Sequence, residues 1–570
     1  MNIQRRTGVA VPVFSLRTKD SFGVGEFNDL RLLADWCVAT GQNIIQLLPI
    51  NDTTFTHTYQ DSYPYNAVSS FALHPLYLNL PLMGIVPDAE YMTQKECFEA
   101  LDSIDYEAVM NAKRDYMLRY YNGQGKNQCR TKSFKDFVDR NSGWLNTYAS
   151  FCEKRDSGYS FAAPAQFYRW QQYHLDRQLK DVVEYLHSKG VILKGDLPIG
   201  VSADSVDAAT FPELFNMDCS AGAPPDIFCT DGQNWGFPTY NWDSMAKDGY
   251  KWWKDRLHKM SEYFDAFRID HLLGFFRIWE IPNTYSSGLL GHFNPALPLS
   301  PSEMLKEFGF EFKPKYLTPC SDDVREVLFL EDSKRKGRYH PRINGQDTIW
   351  YSKLSDAQKK AFDDLHNDFF YVRHNSFWKK NAMKKLPQLI KSTKMVVCGE
   401  DLGMIPSCVP EVMQELGILS LEIQRMPKTP DTEFANPASY PVTSVCTTST
   451  HDMNPLRAWW EEDRENNNPH YFYDYLHWEG NVPYFAEDWL IRGIIEQHMK
   501  SPSLYKIFPI QDYLALSPRL RRTIPQEERI NIPANPRHYW RYRLHLTIED
   551  LLDDKEFTQQ MLSLTSLSWQ

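Results

Sequence analysis

The chain has 570 residues, with 62 Lys plus Arg against 73 Asp plus Glu, and its 33 Phe, 31 Tyr and 16 Trp make aromatic residues 14% of the whole. That composition excludes a small disulfide scaffold, a coiled coil and a disordered tail protein, each of which carries a strong bias. A net charge of −11 gives no general attraction to nucleic acid or to a membrane surface, since binding there rests on neutralising phosphates with Lys and Arg.

In chain order, Arg5 and Arg6 precede an apolar stretch, Val9 to Leu16, that imitates a signal peptide. Pro12 interrupts it, Arg17 and Lys19 follow at once, and no small-residue cleavage site is present, so the stretch reads as a strand. Eight short β-branched or apolar runs ending in polar residues are expected as strands: Gly8 to Phe14, Asn43 to Leu48, Val191 to Asp196, Ala266 to Asp270, Met395 to Glu400, Leu419 to Gln424, Val442 to Thr447 and Ile507 to Asp512. Helical periodicity lies between them. Leu30, Leu33, Ala34 and Cys37 share a face with Gly41 as the stop, and Leu175, Leu179, Val182, Val183 and Leu186 share another before Gly190. Strand then helix is the α/β pattern of a parallel sheet covered by helices, and eight strands mildly favour a closed (β/α)8 TIM barrel over an open doubly wound sheet.

About 140 residues separate the second and third strands and about 125 the fourth and fifth, far beyond an ordinary crossover. Helical patterns such as Ser355 to Leu365 and Ser376 to Leu386, the latter stopped by Pro387, fill the second interval. The expectation is a single interrupted barrel over residues 1–570, with large, mainly helical insertions at about 51–172 and about 283–394. Pro295 to Pro301 reads as a loop at the start of the second, and the basic run Lys334 to Arg338 as a solvated loop. No run has the length needed to cross a bilayer. The ten cysteines are scattered without CxxC or metal-finger spacing, as expected of reduced thiols in the cytoplasm.

The C-terminal ends of barrel strands point into the usual active-site mouth, so chemistry is sought there. The fourth run closes with Phe267-Arg268-Ile269-Asp270-His271. Arg268 and Asp270 share one face of a strand, and the cation favours an ionised Asp270, which is either a nucleophile or half of a structural ion pair. In Gly399-Glu400-Asp401-Leu402-Gly403, Gly399 permits close backbone approach and Glu400 ends an apolar strand, where desolvation would raise its pKa towards that of a general acid. Asp401 is the alternative acid, or a cap of the next helix. Thr450-His451-Asp452 adds a third carboxylate beside a histidine, a pair that on its own reads as a loop hydrogen bond. Two carboxylates facing one bond suit glycoside cleavage. Asp196, Asp270, Glu400 and Asp452 would otherwise suit a hard cation, but there is no HExxH or other His pair at ligand spacing and Arg268 would repel the ion.

At these residues the sequence resembles the 4-α-glucanotransferases of glycoside hydrolase family 77, the amylomaltases or disproportionating enzymes. The matching segments are Gly23-Val24-Gly25-Glu26-Phe27, Asp61-Ser62-Tyr63-Pro64-Tyr65, Gly195-Asp196-Leu197-Pro198-Ile199-Gly200, Gly232-Gln233-Asn234-Trp235-Gly236, Phe267 to His271, Gly399 to Gly403 and Thr450-His451-Asp452, in family order up to Asn531-Ile532-Pro533. The resemblance implies a (β/α)8 barrel with no metal or organic cofactor. It implies Asp270 as the nucleophile forming a glucosyl-enzyme, Glu400 as acid and then base, and Asp452 as transition-state stabiliser. Arg268, His451 and Asp196 would contact the sugar at the cleavage point, and Tyr65, Gln233, Trp235 and His271 would line neighbouring subsites. The substrates implied are maltose, maltooligosaccharides and branched glucans such as glycogen.

Val11 to Arg17, Gln424-Arg425-Met426-Pro427 and Leu456-Arg457-Ala458-Trp459-Trp460 are similar to the branch that includes plant cytosolic disproportionating enzymes. That branch carries an insertion between nucleophile and acid, and here 130 positions separate Asp270 from Glu400. The first strand is expected within ten residues of Met1, so the starch-binding modules common in the branch are expected to be either naturally absent or trimmed away. Two rival readings are a hydrolase of the same mechanism, differing only in whether water occupies the acceptor site, and a non-catalytic glucan-binding barrel, which would have lost one of the three acids.

Overall fold

All eight expected runs form strands in the computed structural model, which describes residues 3–225, 229–429, 432–462, 473–535 and 537–569. They are β1 (Arg6–Ala10), β2 (Ile44–Gln46), β3 (Ile192–Leu197), β4 (Ala266–Ile269), β5 (Val396–Gly399), β6 (Ser420–Ile423), β7 (Ser444–Thr447) and β8 (Tyr505–Pro509). The strands pair in parallel in the order β5-β4-β3-β2-β1-β8-β7-β6. Between β5 and β6 the ring is joined by one bridge, Cys398 to Leu419. The seam of β1 and β8 sets Gly8 opposite Ile507.

The first and last strands end at Ala10 and Pro509, short of the expected Phe14 and Asp512, and prolines are the reason. Pro12 has no N–H for the ladder, and Val13–Ser15 forms a 3-10 turn instead. Pro509 ends β8, and Ile510–Leu514 is already helical. Alternation along the strands divides two cores. Ile44, Ala266, Cys398, Leu421, Val445 and Ile507 fill the lumen, whereas Ile45, Leu193, Phe267, Val397, Cys446 and Phe508 belong to the outer core. Lys194 keeps the lumen phase of β3 and donates to Gln46 Oε1 at 2.6 Å.

The expected helices are present as Leu30–Ala39 and Ala165–Ser188, and the glycines that follow, Gly41 and Gly190, have φ of 74° and 76°. Between β2 and β3 the chain builds the helices Ala89–Glu99, Tyr106–Tyr120, Lys132–Arg140 and Ser142–Asp156. A buried ion pair, Lys113 Nζ to Glu26 Oε1 at 2.6 Å, ties them to the barrel. Between β4 and β5 lie Asp356–Asn367, capped by Ser355, and Asn375–Lys391. Pro387 does not stop the latter helix. Leu386 and Leu389 on either side of it are both buried, and their packing outweighs the hydrogen bond that proline removes.

An antiparallel sheet accompanies these helices. It joins Phe215–Ala223, Gln233–Tyr240, Ile278–Pro282 and His292–Asn294, strands drawn from the intervals after both β3 and β4. Gly236 and Pro238 break the apolar alternation of one strand, and register shifts interrupt its pairing. The basic run 334–338 lies at the surface, where Arg335 pairs with Asp332 and Arg338 with Glu303. Among the described residues, no helix is long and apolar enough to cross a membrane.

Candidate active site

The lumen phase of three adjacent strands carries charge to the mouth. On β3 it runs Ile192, Lys194, Asp196, on β4 Ala266, Arg268, Asp270, and on β5 Val396, Cys398, Glu400. Register sets Asp196 opposite Arg268 and Ile269 opposite Gly399. Glu400, whose N–H donates to Ile269 O at 2.9 Å, therefore stands beside Asp270. The Arg268 guanidinium donates to Asp196 Oδ1 at 2.9 Å and to Asp270 Oδ1 at 2.8 Å, and lies 4.0 Å from Glu400 Oε2. The cation surrounded by these three acids is thus Arg268. Among the described residues, no group of three or more His, Cys, Asp or Glu could hold a metal ion.

Backbone donors fix Glu400. His271 N–H donates to Oε2 and Leu402 N–H to Oε1, both at 2.9 Å. His271 adopts a left-handed φ of 43° as the chain leaves β4. The close approach that Gly399 permits is made by Leu272, whose Cδ2 would lie 2.4 Å from a Cβ there. Asp401 falls on the opposite phase, accepting Leu421 N–H at 2.9 Å and Lys428 Nζ at 2.7 Å. It neither faces Arg268 nor caps a helix, so of the two carboxyls only Glu400 faces Arg268 in the mouth.

Burial, reinforced by the charge of Asp270, pushes Glu400 up to about 7 against the pull of Arg268. Burial and the charge of Asp196 also hold Asp270 above the ordinary carboxylate value, opposed by the Arg268 contact. Burial and the neighbouring Arg277 and Arg268 push His271 down to about 3, so its ring is neutral.

Asp452 is held differently. Asn531 Nδ2 donates to its Oδ1 at 2.6 Å, and His451 Nε2 lies 3.2 Å from its Oδ2. The side chain is 43% exposed, so the raising effect of the surrounding protein is weak, and His451 and Asn531 bring the carboxyl down to about 2. The Tyr65 ring stacks on His451 at 5.2 Å, and its hydroxyl donates to Asp196 Oδ2 at 2.8 Å, joining the two groups of acids. Tyr63 stacks on Trp540 at 5.4 Å, and Trp540 lies 5.9 Å from His451, so the wall continues beyond Tyr65. Ser62 is structural here: its Oγ accepts the Trp540 N–H.

Gln233 and Trp235 come from the antiparallel sheet, with Trp235 Nε1 donating to Gln233 Oε1 at 2.9 Å. Trp235 packs edge-on against His271 at 5.0 Å. The structure therefore joins all ten expected site residues through contacts or through chain neighbours. Sequence reasoning assigned no role to Asn531, Tyr63 or Trp540. No local pattern marks Asn531 or Trp540, which reach Asp452 and His451 only through the fold.

A parallel eight-stranded barrel whose strand ends hold three acids around one guanidinium, walled by aromatic rings, defines a carbohydrate-active enzyme. The family model described as 4-alpha-glucanotransferase, of glycoside hydrolase family 77, matches residues 11–161 and 156–547. The 4-alpha-glucanotransferase DPE2 of Oryza sativa subsp. japonica is 39% identical, over 99% of this chain and 70% of its own. The 4-alpha-glucanotransferase of Chlamydia muridarum is 29% identical, over 98% of this chain and 94% of its own. An amylomaltase structure from Streptococcus agalactiae, in complex with acarbose, superposes with a TM-score of 0.71 at 20% identity and covers both chains fully, which shows the shared fold. The chain belongs to the 4-alpha-glucanotransferases of glycoside hydrolase family 77.

Proposed function

We propose that this enzyme moves α-1,4-glucosyl or glucan units by a retaining double displacement. Asp270 attacks the anomeric carbon while Glu400 protonates the departing glycosidic oxygen, leaving a glucosyl ester on Asp270. Glu400, now ionised, then takes the proton from the 4-hydroxyl of the incoming sugar, which displaces Asp270. Asp452 supports the positive charge that develops on the sugar ring. Arg268, Asp196 and His451 hold the glucose at the cleavage point, and Tyr65, Gln233, Trp235 and His271 line the neighbouring positions.

The observation that carries this reading is the division of labour around Arg268. Of the two neighbouring carboxyls, Asp270 touches the guanidinium at 2.8 Å and Glu400, farther from it, is pushed up to about 7. Burial raises both carboxyls, and direct contact with the guanidinium favours the charged form at Asp270 over Glu400. Adjacent strands lie about 4.8 Å apart, in keeping with the roughly 5 Å carboxyl separation of retaining enzymes.

Maltose or maltooligosaccharides are the proposed donors. Glucose, maltooligosaccharides or a branched glucan such as glycogen are the acceptors, and no cofactor takes part. The cytoplasm is the proposed location, in keeping with buried thiols such as Cys37, Cys152, Cys398 and Cys446. The test is chromatography of products after incubation with maltose alone and then with maltose plus glycogen. A ladder of oligosaccharides is expected from the first, and glucose release that needs glycogen would indicate a polysaccharide acceptor. Absence of transfer products in both would refute the reading.

A further inference from the structure

Arg277 is buried, 2% exposed, and among the described residues no carboxylate pairs with it. Its guanidinium carbon sits 3.8 Å from the ring centre of Phe293 and 5.2 Å from that of Trp378. One amino group donates to the carbonyl of Met404. Burial pushes this arginine down to about 9, still charged at neutral pH. A buried cation held by two aromatic faces and one carbonyl is expensive to keep, and aromatic faces recover only part of that cost. Its position identifies what it does.

Met404 belongs to the loop that leaves β5 through Glu400, and Arg277 ends the turn that leaves β4 through His271. These two segments supply the two N–H donors that hold the Glu400 carboxyl. Leu272 N–H also donates to Glu400 O at 2.9 Å. Arg277 closes the far end of this pair of segments, and the long interval between β4 and β5 supplies its seat. Phe293 comes from the antiparallel sheet and Trp378 from helix Asn375–Lys391. The same helix donates Asn381 Nδ2 to Phe276 O at 2.8 Å and pairs Lys379 with Glu411 behind the acid loop.

We propose that Arg277 is a positioning residue for Glu400, clamping the β4 and β5 loops together, and that Phe293 and Trp378 of the interval between those strands are its seat. The inference rests on the reading of Glu400 as the acid and base. It gives part of that interval a task in the reaction.

A donor and acceptor that need no proton transfer provide the test. With α-glucosyl fluoride, the C–F bond breaks and fluoride leaves with the electron pair as the bond to Asp270 forms. Azide then forms a C–N bond and frees the Asp270 carboxylate without a base. Arg277→Met and the double variant Phe293→Leu/Trp378→Leu are expected to lose roughly 10- to 100-fold in kcat on maltose with little change in KM, a misplaced general acid forfeiting part of its about 10²–10⁴ contribution. On α-glucosyl fluoride with azide they are expected to run within about threefold of the parent, because the acid and base are bypassed. Arg277→Lys keeps the charge but not the planar fork and is expected to fold normally, with a smaller loss of the same pattern. Equal loss on both substrate pairs, or no loss on maltose, would overturn the inference. Glu400→Ala is the control: if fluoride and azide fail to restore it, the acid reading itself is wrong, whatever Arg277 does.

Discussion

Glu400 and Asp452 stand in one mouth and are treated in opposite ways. Glu400 has a side chain only 12% exposed, takes its hydrogen bonds from two backbone N–H groups, and is pushed up to about 7. Asp452 has a side chain 43% exposed, takes its bonds from His451 and Asn531, and is brought down to about 2. At neutral pH one keeps much of its proton while the other is an anion. The chemical difference between a glutamate and an aspartate is too small to account for this, so the surroundings set the roles.

The largest expected effect concerns Asp270. Asp270→Asn removes the proposed nucleophile, and glucose release from maltose is expected to fall by about 10⁴-fold or more; full release by this variant would break the scheme. Next, Glu400→Gln is expected to lose about 10²–10⁴-fold on maltose. In the parent enzyme, kcat/KM should fall as pH rises through about 7, where Glu400 loses its proton. A profile flat from pH 6 to pH 9 would show that this proton is not needed.

Asn531→Ala probes the other side. Removing a charge-assisted hydrogen bond worth about 1.5–3 kcal/mol should raise the Asp452 pKa by roughly one unit or more, read from the NMR titration of its carboxyl carbon, because Asp270, held above the ordinary carboxylate value, sets the acid limb of the rate profile. A carboxyl titration identical to that of the parent would separate Asn531 from the state of Asp452.

The smallest effect is on stability. The folded pKa of Glu400 lies above its unfolded value, so its favourable contribution is complete below about 4.5 and is lost as pH rises through about 7. Glu400→Gln escapes that loss, and its Tm relative to the parent should be higher at pH 8 than at pH 5. The opposite trend in calorimetry would mean that Glu400 is ionised in the folded state without penalty.

The barrel is legible in the sequence because each strand is a short apolar run ending in a polar residue, and the three acids are legible because strand ends face the mouth. The choice between Glu400 and Asp401 depends on strand phase, which is fixed once Cys398 is seen to face the lumen. Pro387 misleads because buried neighbours carry the helix through it. The antiparallel sheet is hidden by Gly236, Pro238 and register shifts, and the positions of Asn531 and Trp540 depend on contacts made from 79 to 478 residues away in sequence, where no local pattern reaches.

The seam of β1 and β8 has a consequence for biosynthesis. Gly8 waits for Ile507, so nearly the whole chain must leave the ribosome before the ring can shut. Until then β1, paired with β2 on one side, presents its other row of N–H and C=O groups as an open edge on which another nascent chain can add. Contacts of such long sequence separation form slowly. Recovery of active enzyme on refolding should therefore fall steeply with protein concentration, with the last strand to arrive setting the yield.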